Sequence, residues 1–379
     1  MKGLNDILQK TRAASQSRTG PSWPRRRVPP PPSGSQAEPA GFAHVRLAVE
    51  DDSEAVARFF GEMPASAAGR GCERLRILAL SGGGAGGAFG AGALVGLTRA
   101  GARPDFDMVT GVSTGALIAP FAFVGSAWDE RLEDAYTGGL AAELLAITAV
   151  RPGASLYPSD RLTALVRSHI DAALLESVAE AHAAGRRLFI ATANLDAQTT
   201  SIWDMGAIAS VGGPEALQLF EDVLVASASL PGVFPPKMIK VVSGEDAFEE
   251  MHVDGGAISP LFVVPEPMIL RRARDWAVGG VEVYALVNTT LHPSPKTTPV
   301  GALPVLVRSF ELMLRSSYRS AVRSVAAFCE INGFEFRSAC IPTDFTGMSM
   351  LRFDRSLMSR MFAEGAALAE AGRLWTRLE

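Results

Sequence analysis

Between Arg74 and Asn288 the chain alternates short runs, most of them strongly apolar, with longer stretches bounded by turn residues. The short runs, at residues 75–80, 106–109, 187–193, 199–204, 238–242, 251–254 and 281–288, predict strands. The longer stretches at 87–99, 114–124, 129–150, 160–171 and 214–226 predict helices, with Ser159 as an N-cap and Arg151-Pro152-Gly153 as a turn. Alternation of the two types predicts an α/β layered domain. Strands that are apolar at nearly every position belong in a sheet covered on both faces. Beyond this region, 301–328 predict a long amphipathic helix and 356–378 a final helix rich in Ala and Leu.

Two predicted strands run straight into glycine-bearing turns. The first leads into Ser81-Gly82-Gly83-Gly84-Ala85-Gly86-Gly87, a strand-to-helix turn whose amides are free to face an anion. The second leads into Gly111-Val112-Ser113-Thr114-Gly115, where small residues on both sides of the serine allow a strained elbow that lifts its hydroxyl above the sheet. A third signal is Met251-His252-Val253-Asp254-Gly255-Gly256, an apolar strand ending in a carboxylate with two glycines that permit close approach.

Taken in that order, Gly82-Gly83-Gly84-x-x-Gly87, Gly111-x-Ser113-x-Gly115 and Asp254-Gly255-Gly256 resemble the patatin-like phospholipase family over roughly residues 74–288. The resemblance implies a three-layer α/β/α fold with a mostly parallel central sheet. It also implies a Ser-Asp dyad that works without histidine, metal or organic cofactor. Ser113 would be the nucleophile, Asp254 the proton acceptor, and Gly83 and Gly84 the main oxyanion donors, with Gly82, Gly87 and Thr114 as flanking motif positions. The chain departs from the family at Gly86, where the family's loop usually has a basic residue. The segment from Ser227 to Pro236 resembles the family's loop beside the active site.

Composition narrows the setting. The 379 residues are 47% hydrophobic, and the mean hydropathy of +0.17 raises a membrane reading. Residues 77–98 and 108–128 are long and uncharged enough to span a bilayer, but glycine-rich turns interrupt both, so buried βα units are the favoured reading. Residues 1–40 carry seven Lys or Arg against Asp6 and Glu38, a net of +5, which leaves −9 for the remainder of a chain whose total is −4. This basic, proline-rich segment predicts a disordered tail, read as solubilising the chain in preference to touching anionic membrane, and 41–73 an N-terminal extension. Residues 74–290 form the expected catalytic domain, and 291–379 a helical and strand region packed on it. Arg308, Arg315, Arg319 and Arg323 share one helical face, read as a solvated surface in preference to a headgroup site. Cys72, Cys329 and Cys340 have no metal spacing and form no complete disulfide framework, which points to a reducing compartment, so the expected location is cytoplasmic, with peripheral membrane contact as a further option. No signal peptide is recognised, and nothing suggests nucleic acid.

Three rival readings remain at this level. A dinucleotide site on Gly82-x-Gly84-x-x-Gly87 needs an acidic residue at the end of the next strand, whereas Asp105 and Asp107 lie at its start. A Ser-His-Asp esterase or acyltransferase could use Ser113, Asp254 and His292, with His252 as a neighbour of the base. A non-catalytic lipid-binding protein on the same fold would leave Ser113 idle.

Overall fold

A computed structural model describes residues 28–32, 37–49, 74–139, 159–265, 280–293, 297–343 and 353–376, with isolated positions 56, 59, 60, 141, 144, 269, 295 and 345. The strands are β1 (Glu38–Pro39), β2 (Arg46–Ala48), β3 (Leu75–Leu80), β4 (Met108–Val112), β5 (Arg187–Asn194), β6 (Thr199–Asp204), β7 (Lys237–Ser243), β8 (Asp246–Asp254), β9 (Val281–Val287) and β10 (Glu335–Cys340). The helices are α1 (Gly87–Arg99), α2 (Thr114–Val124), α3 (Asp129–Thr137), α4 (Ser159–His169), α5 (Ala172–Ala183), α6 (Met205–Val211), α7 (Gly213–Ala228), α8 (Ala302–Asn332) and α9 (Arg355–Glu370).

All ten strands join one sheet in the order β1-β7-β8-β5-β4-β3-β9-β10, with β6 paired to β5 and β2 to β6. Its central run, β5-β4-β3-β9-β10, is parallel throughout. The β8-β7-β1 arm and the β6-β2 pair are antiparallel. Alternate residues of the central strands feed two cores. Leu78, Leu80, Val109, Ile190 and Leu286 face a layer that includes α1, α2, α7 and α9. Ile77, Ala79, Met108, Phe189 and Val283 face the layer that contains α8. Both faces are thus covered, which makes the fold a three-layer α/β/α sandwich and accounts for strands that read as unbroken apolar runs.

The register decides where the chemistry can sit. β4 pairs with β5 as far as Val112↔Ala191, and β8 takes over at Thr192↔Asp254. β4 therefore ends where β8 arrives head-on beside the same strand, so the residue after Val112 meets the last residue of β8.

Several boundaries differ from expectation. The strand expected at 106–109 begins at Met108, because Asp107 spends its carboxylate on the Arg76 amide at 2.8 Å. The strand expected at 251–254 starts five residues earlier, since its polar beginning pairs with β7 across Ser243↔Asp246. The final helix stops at Glu370, where Gly372 takes φ 67°, and Thr376 instead bridges to Ser338. The expected tail of residues 1–40 ends in structure, because Glu38–Pro39 pairs with β7 and the Pro29 carbonyl accepts from the Glu249 amide at 3.1 Å. Residues 1–27, Cys72, the Arg151-Pro152-Gly153 turn and most of the helix expected beyond residue 139 lie outside the described residues. The region after residue 290 does more than pack on the sheet, for β10 extends it. The two uncharged stretches are β3-turn-α1 and β4-elbow-α2. Among the described residues no helix is long and apolar enough to cross a membrane.

Candidate active site

Ser113 stands between β4 and α2 with φ 56° and ψ −127°, a backbone conformation that costs a non-glycine residue energy and survives only where its surroundings enforce it. The enforcement is visible. The Ser113 amide donates to Ser227 Oγ at 3.0 Å, and that hydroxyl donates to the Ala191 carbonyl at 2.7 Å. A side chain at Gly111 would stand 2.7 Å from the Gly115 carbonyl, and one at Gly115 would overlap the Leu80 carbonyl, so the elbow closes only around glycines.

The glycine loop leaves the end of β3 beside this elbow. Asn288, one residue beyond β9, clamps it: the Asn288 amide donates to Ser81 Oγ at 2.9 Å and its side-chain NH₂ to the Ser81 carbonyl at 2.7 Å. Gly83, at φ 153°, and Gly84, at φ 57°, turn the chain, and a Cβ on Gly83 would overlap the Asn288 carbonyl. The Gly82 amide is occupied by the Pro260 carbonyl at 3.1 Å, whereas no described residue accepts from Gly83 or Gly84. Gly86, the position where a basic residue was expected by resemblance, also packs against the Asn288 carbonyl, so no side chain fits there. Gly87 approaches Thr114 just as closely, and the Thr114 hydroxyl bonds Tyr136 at 2.8 Å, facing away from the cleft.

Asp254 closes the site from β8. Its amide donates to the Ser229 carbonyl at 3.0 Å, and its carboxylate accepts from the Gly256 amide at 2.7 Å. Gly255 allows this corner to press against the Ala191 carbonyl, 2.5 Å from where a Cβ would stand. Burial pushes the Asp254 carboxyl up to about 6, partly offset by the nearby Ser113 hydroxyl and by the hydrogen bond from the Gly256 amide. Serine and carboxylate therefore line one cleft in which the carboxylate is poised near neutrality.

These groups line one cleft, together with Gly83, Gly84, Leu230, Phe234, Leu314, Tyr318 and Phe353. Leu230 and Phe234 belong to the proline-bounded segment singled out from the sequence. No histidine lines the cleft. His292 is exposed, while the buried His252 ring faces Thr192 Oγ1 at 2.9 Å and Glu250 at 3.1 Å. Among the described residues no cluster of His, Cys, Asp or Glu could hold a metal ion. Tyr318 escaped the sequence reading, because it repeats with Leu314, Val322 and Val325 at the spacing of an ordinary core-facing helix stripe.

Residues 78–265 match the family model for patatin-like phospholipase. The chain carries a patatin-like domain. Ser113, Asp254 and the whole glycine loop fall inside that match, while Leu314, Tyr318 and Phe353 reach the cleft of the patatin-like domain from beyond it. Among solved structures the chain is similar to VipD from Legionella pneumophila, at 12% identity and a TM-score of 0.40, covering 81% of this chain and 68% of that one. Among curated proteins no relative matches.

Proposed function

We propose that the chain is a serine acyl hydrolase acting on ester bonds of phospholipids or related lipids. The observation that carries the reading is a buried carboxylate, Asp254, that lines one cleft with a strained elbow serine and with the Gly83 and Gly84 amides, from which no described residue accepts. Ser113 Oγ attacks the ester carbonyl while Asp254 takes its proton. The amides of Gly83 and Gly84 hold the developing oxyanion. Asp254 returns the proton to the departing alkoxide, then removes one from the water that hydrolyses the acyl-enzyme. With a carboxyl at about 6, the base is ionised at neutral pH yet still basic enough to accept a proton. In this reading the lipid is met at a membrane surface, with the basic segment before residue 28 touching anionic headgroups from the cytoplasmic side.

Covalent labelling by a fluorophosphonate tests the reading directly. Wild-type protein should label at Ser113 and hydrolyse a 4-nitrophenyl ester, and Ser113→Ala should do neither. A folded Ser113→Ala protein with wild-type turnover would refute the nucleophile. Absence of both labelling and turnover in the wild type would favour a lipid-binding protein. Product analysis with an added acceptor alcohol separates hydrolase from acyltransferase.

A further inference from the structure

A second, open pocket lies behind the nucleophile. Ser113 lines the catalytic cleft and Thr114 lines this cavity, so consecutive residues face the two compartments, and Phe353 lines both. Most of the wall is apolar, with Leu117 and Phe121 from α2, Leu165 from α4 and Met358 from α9. The polar groups at its edge are already paired within the protein. The Thr114 hydroxyl bonds the Tyr136 phenol at 2.8 Å, and that phenol donates to the Thr114 carbonyl at 3.1 Å. The His169 ring nitrogens face the Leu165 carbonyl at 3.1 Å and Asp134 at 3.4 Å. Such a cavity rewards hydrocarbon and offers nothing to a headgroup.

We propose that this cavity receives the fatty acyl chain of the ester, and that Phe353 is the partition between it and the catalytic cleft. The inference rests on the hydrolase reading above. On its C-terminal side the partition is anchored. Asp354 caps α9 by accepting from the Leu357 amide at 2.9 Å, and α9 is seated on α1 where Gly92 and Gly365 let the backbones meet. The Phe353 ring is only partly buried against this core. Each methylene that enters should raise kcat/KM by up to about fourfold until the cavity is full.

The test uses the full chain. With 4-nitrophenyl esters, dodecanoate should be preferred to acetate, and Leu117→Trp should lose at least about tenfold on dodecanoate while acetate stays within about twofold. Ala135→Leu, a smaller obstruction on α3, repeats the test should the tryptophan prevent folding. In parallel, binding of cis-parinaric acid to Ser113→Ala protein should weaken at least tenfold on adding either obstruction. Equal losses on both esters, or unchanged cis-parinaric acid binding, would overturn the inference. Binding that the obstruction abolishes, in a wild type that hydrolyses no ester, would uphold the cavity and refute the hydrolase reading.

A separate observation concerns Tyr318. It is 4% exposed, it lines the catalytic cleft, and among the described residues none hydrogen-bonds its hydroxyl. That hydroxyl is 2.7 Å from where a Cβ on Gly82 would stand, a point itself 3.0 Å from Ser113 Cβ. Burial, and then the Asp254 charge, keep the phenol protonated and so a donor. We infer that Tyr318 donates a third hydrogen bond to the oxyanion, beside Gly83 and Gly84. Tyr318→Phe should lower kcat by about 100-fold with KM unchanged, and slow fluorophosphonate labelling in parallel. An unchanged kcat, or a change confined to KM, in an otherwise active enzyme would overturn the assignment and leave the hydrolase reading standing.

Discussion

Asp254→Asn should make the protein more stable as it makes it inactive, and the gain should depend on pH in a calculable way. The native carboxyl sits at about 6 against an ordinary value of 3.8, so its proton is held more tightly in the folded state than in the unfolded chain. Stability from this group is therefore complete below about pH 4 and is lost as pH rises through about 6. At 1.36 kcal/mol per unit, the loss above pH 7 amounts to about 3 kcal/mol. Asparagine carries no charge, keeps an acceptor for the Gly256 amide, and escapes this cost. Thermal and urea unfolding of both proteins at pH 4, 5.5 and 8 should show them nearly equal at the lowest pH, and the asparagine variant more stable by about 3 kcal/mol at the highest. Ester turnover, assayed alongside, should vanish in the variant. A stability difference that is flat across this range, or of opposite sign, would refute the reasoning that burial of an ionised Asp254 is what poises the base.

Wild-type kcat/KM should rise with pH through about 6 and then level off, since the base must be ionised, over the window in which stability declines; a flat profile from pH 4 to 8 would argue against Asp254. Ser227→Ala should cost about 1–3 kcal/mol by stranding the buried Ser113 amide and the Ala191 carbonyl. Its loosened elbow should lower kcat by up to about 100-fold in a steady-state assay. Gly86→Lys, which supplies the family's usual basic residue, should reduce melting temperature and soluble yield, because its Cβ overlaps the Asn288 carbonyl. His292→Ala should retain turnover within about twofold, as an exposed residue outside the cleft, and complete loss would revive the triad mechanism.

The motif-bearing units were the most legible part of the chain. The predicted β3, α1 and α2 coincide with the observed elements, because the glycine turns at Gly82–Gly87 and around Ser113 mark the end of β3 and the starts of α1 and α2. Pairing was not legible. Nothing local to Met251 or Thr192 announces that β8 runs antiparallel and meets β5 beyond the end of β4, though that register brings Asp254 to Ser113. The short N-terminal strands were invisible for a different reason, since Glu38–Pro39 owes its conformation to Val241 and Val242 and not to its own composition. Ala172–Ala183 and Met205–Val211 likewise become helical where Asp171 and Asp204 cap them, a signal easily lost among alanines and short apolar runs.

The placement of β9 has a bearing on how this protein comes into being. β3, at the centre of the sheet, pairs with β4 on one side and with β9 on the other, and β9 lies beyond residue 265. A nascent chain that has left the ribosome as far as residue 265 already holds the serine, the aspartate and the glycine loop. Its β3 is nevertheless an open apolar edge, and Asn288 has yet to arrive to clamp the loop. The segment that carries the three motifs thus lacks, by itself, both the strand that closes this edge of β3 and the residue that clamps its glycine loop.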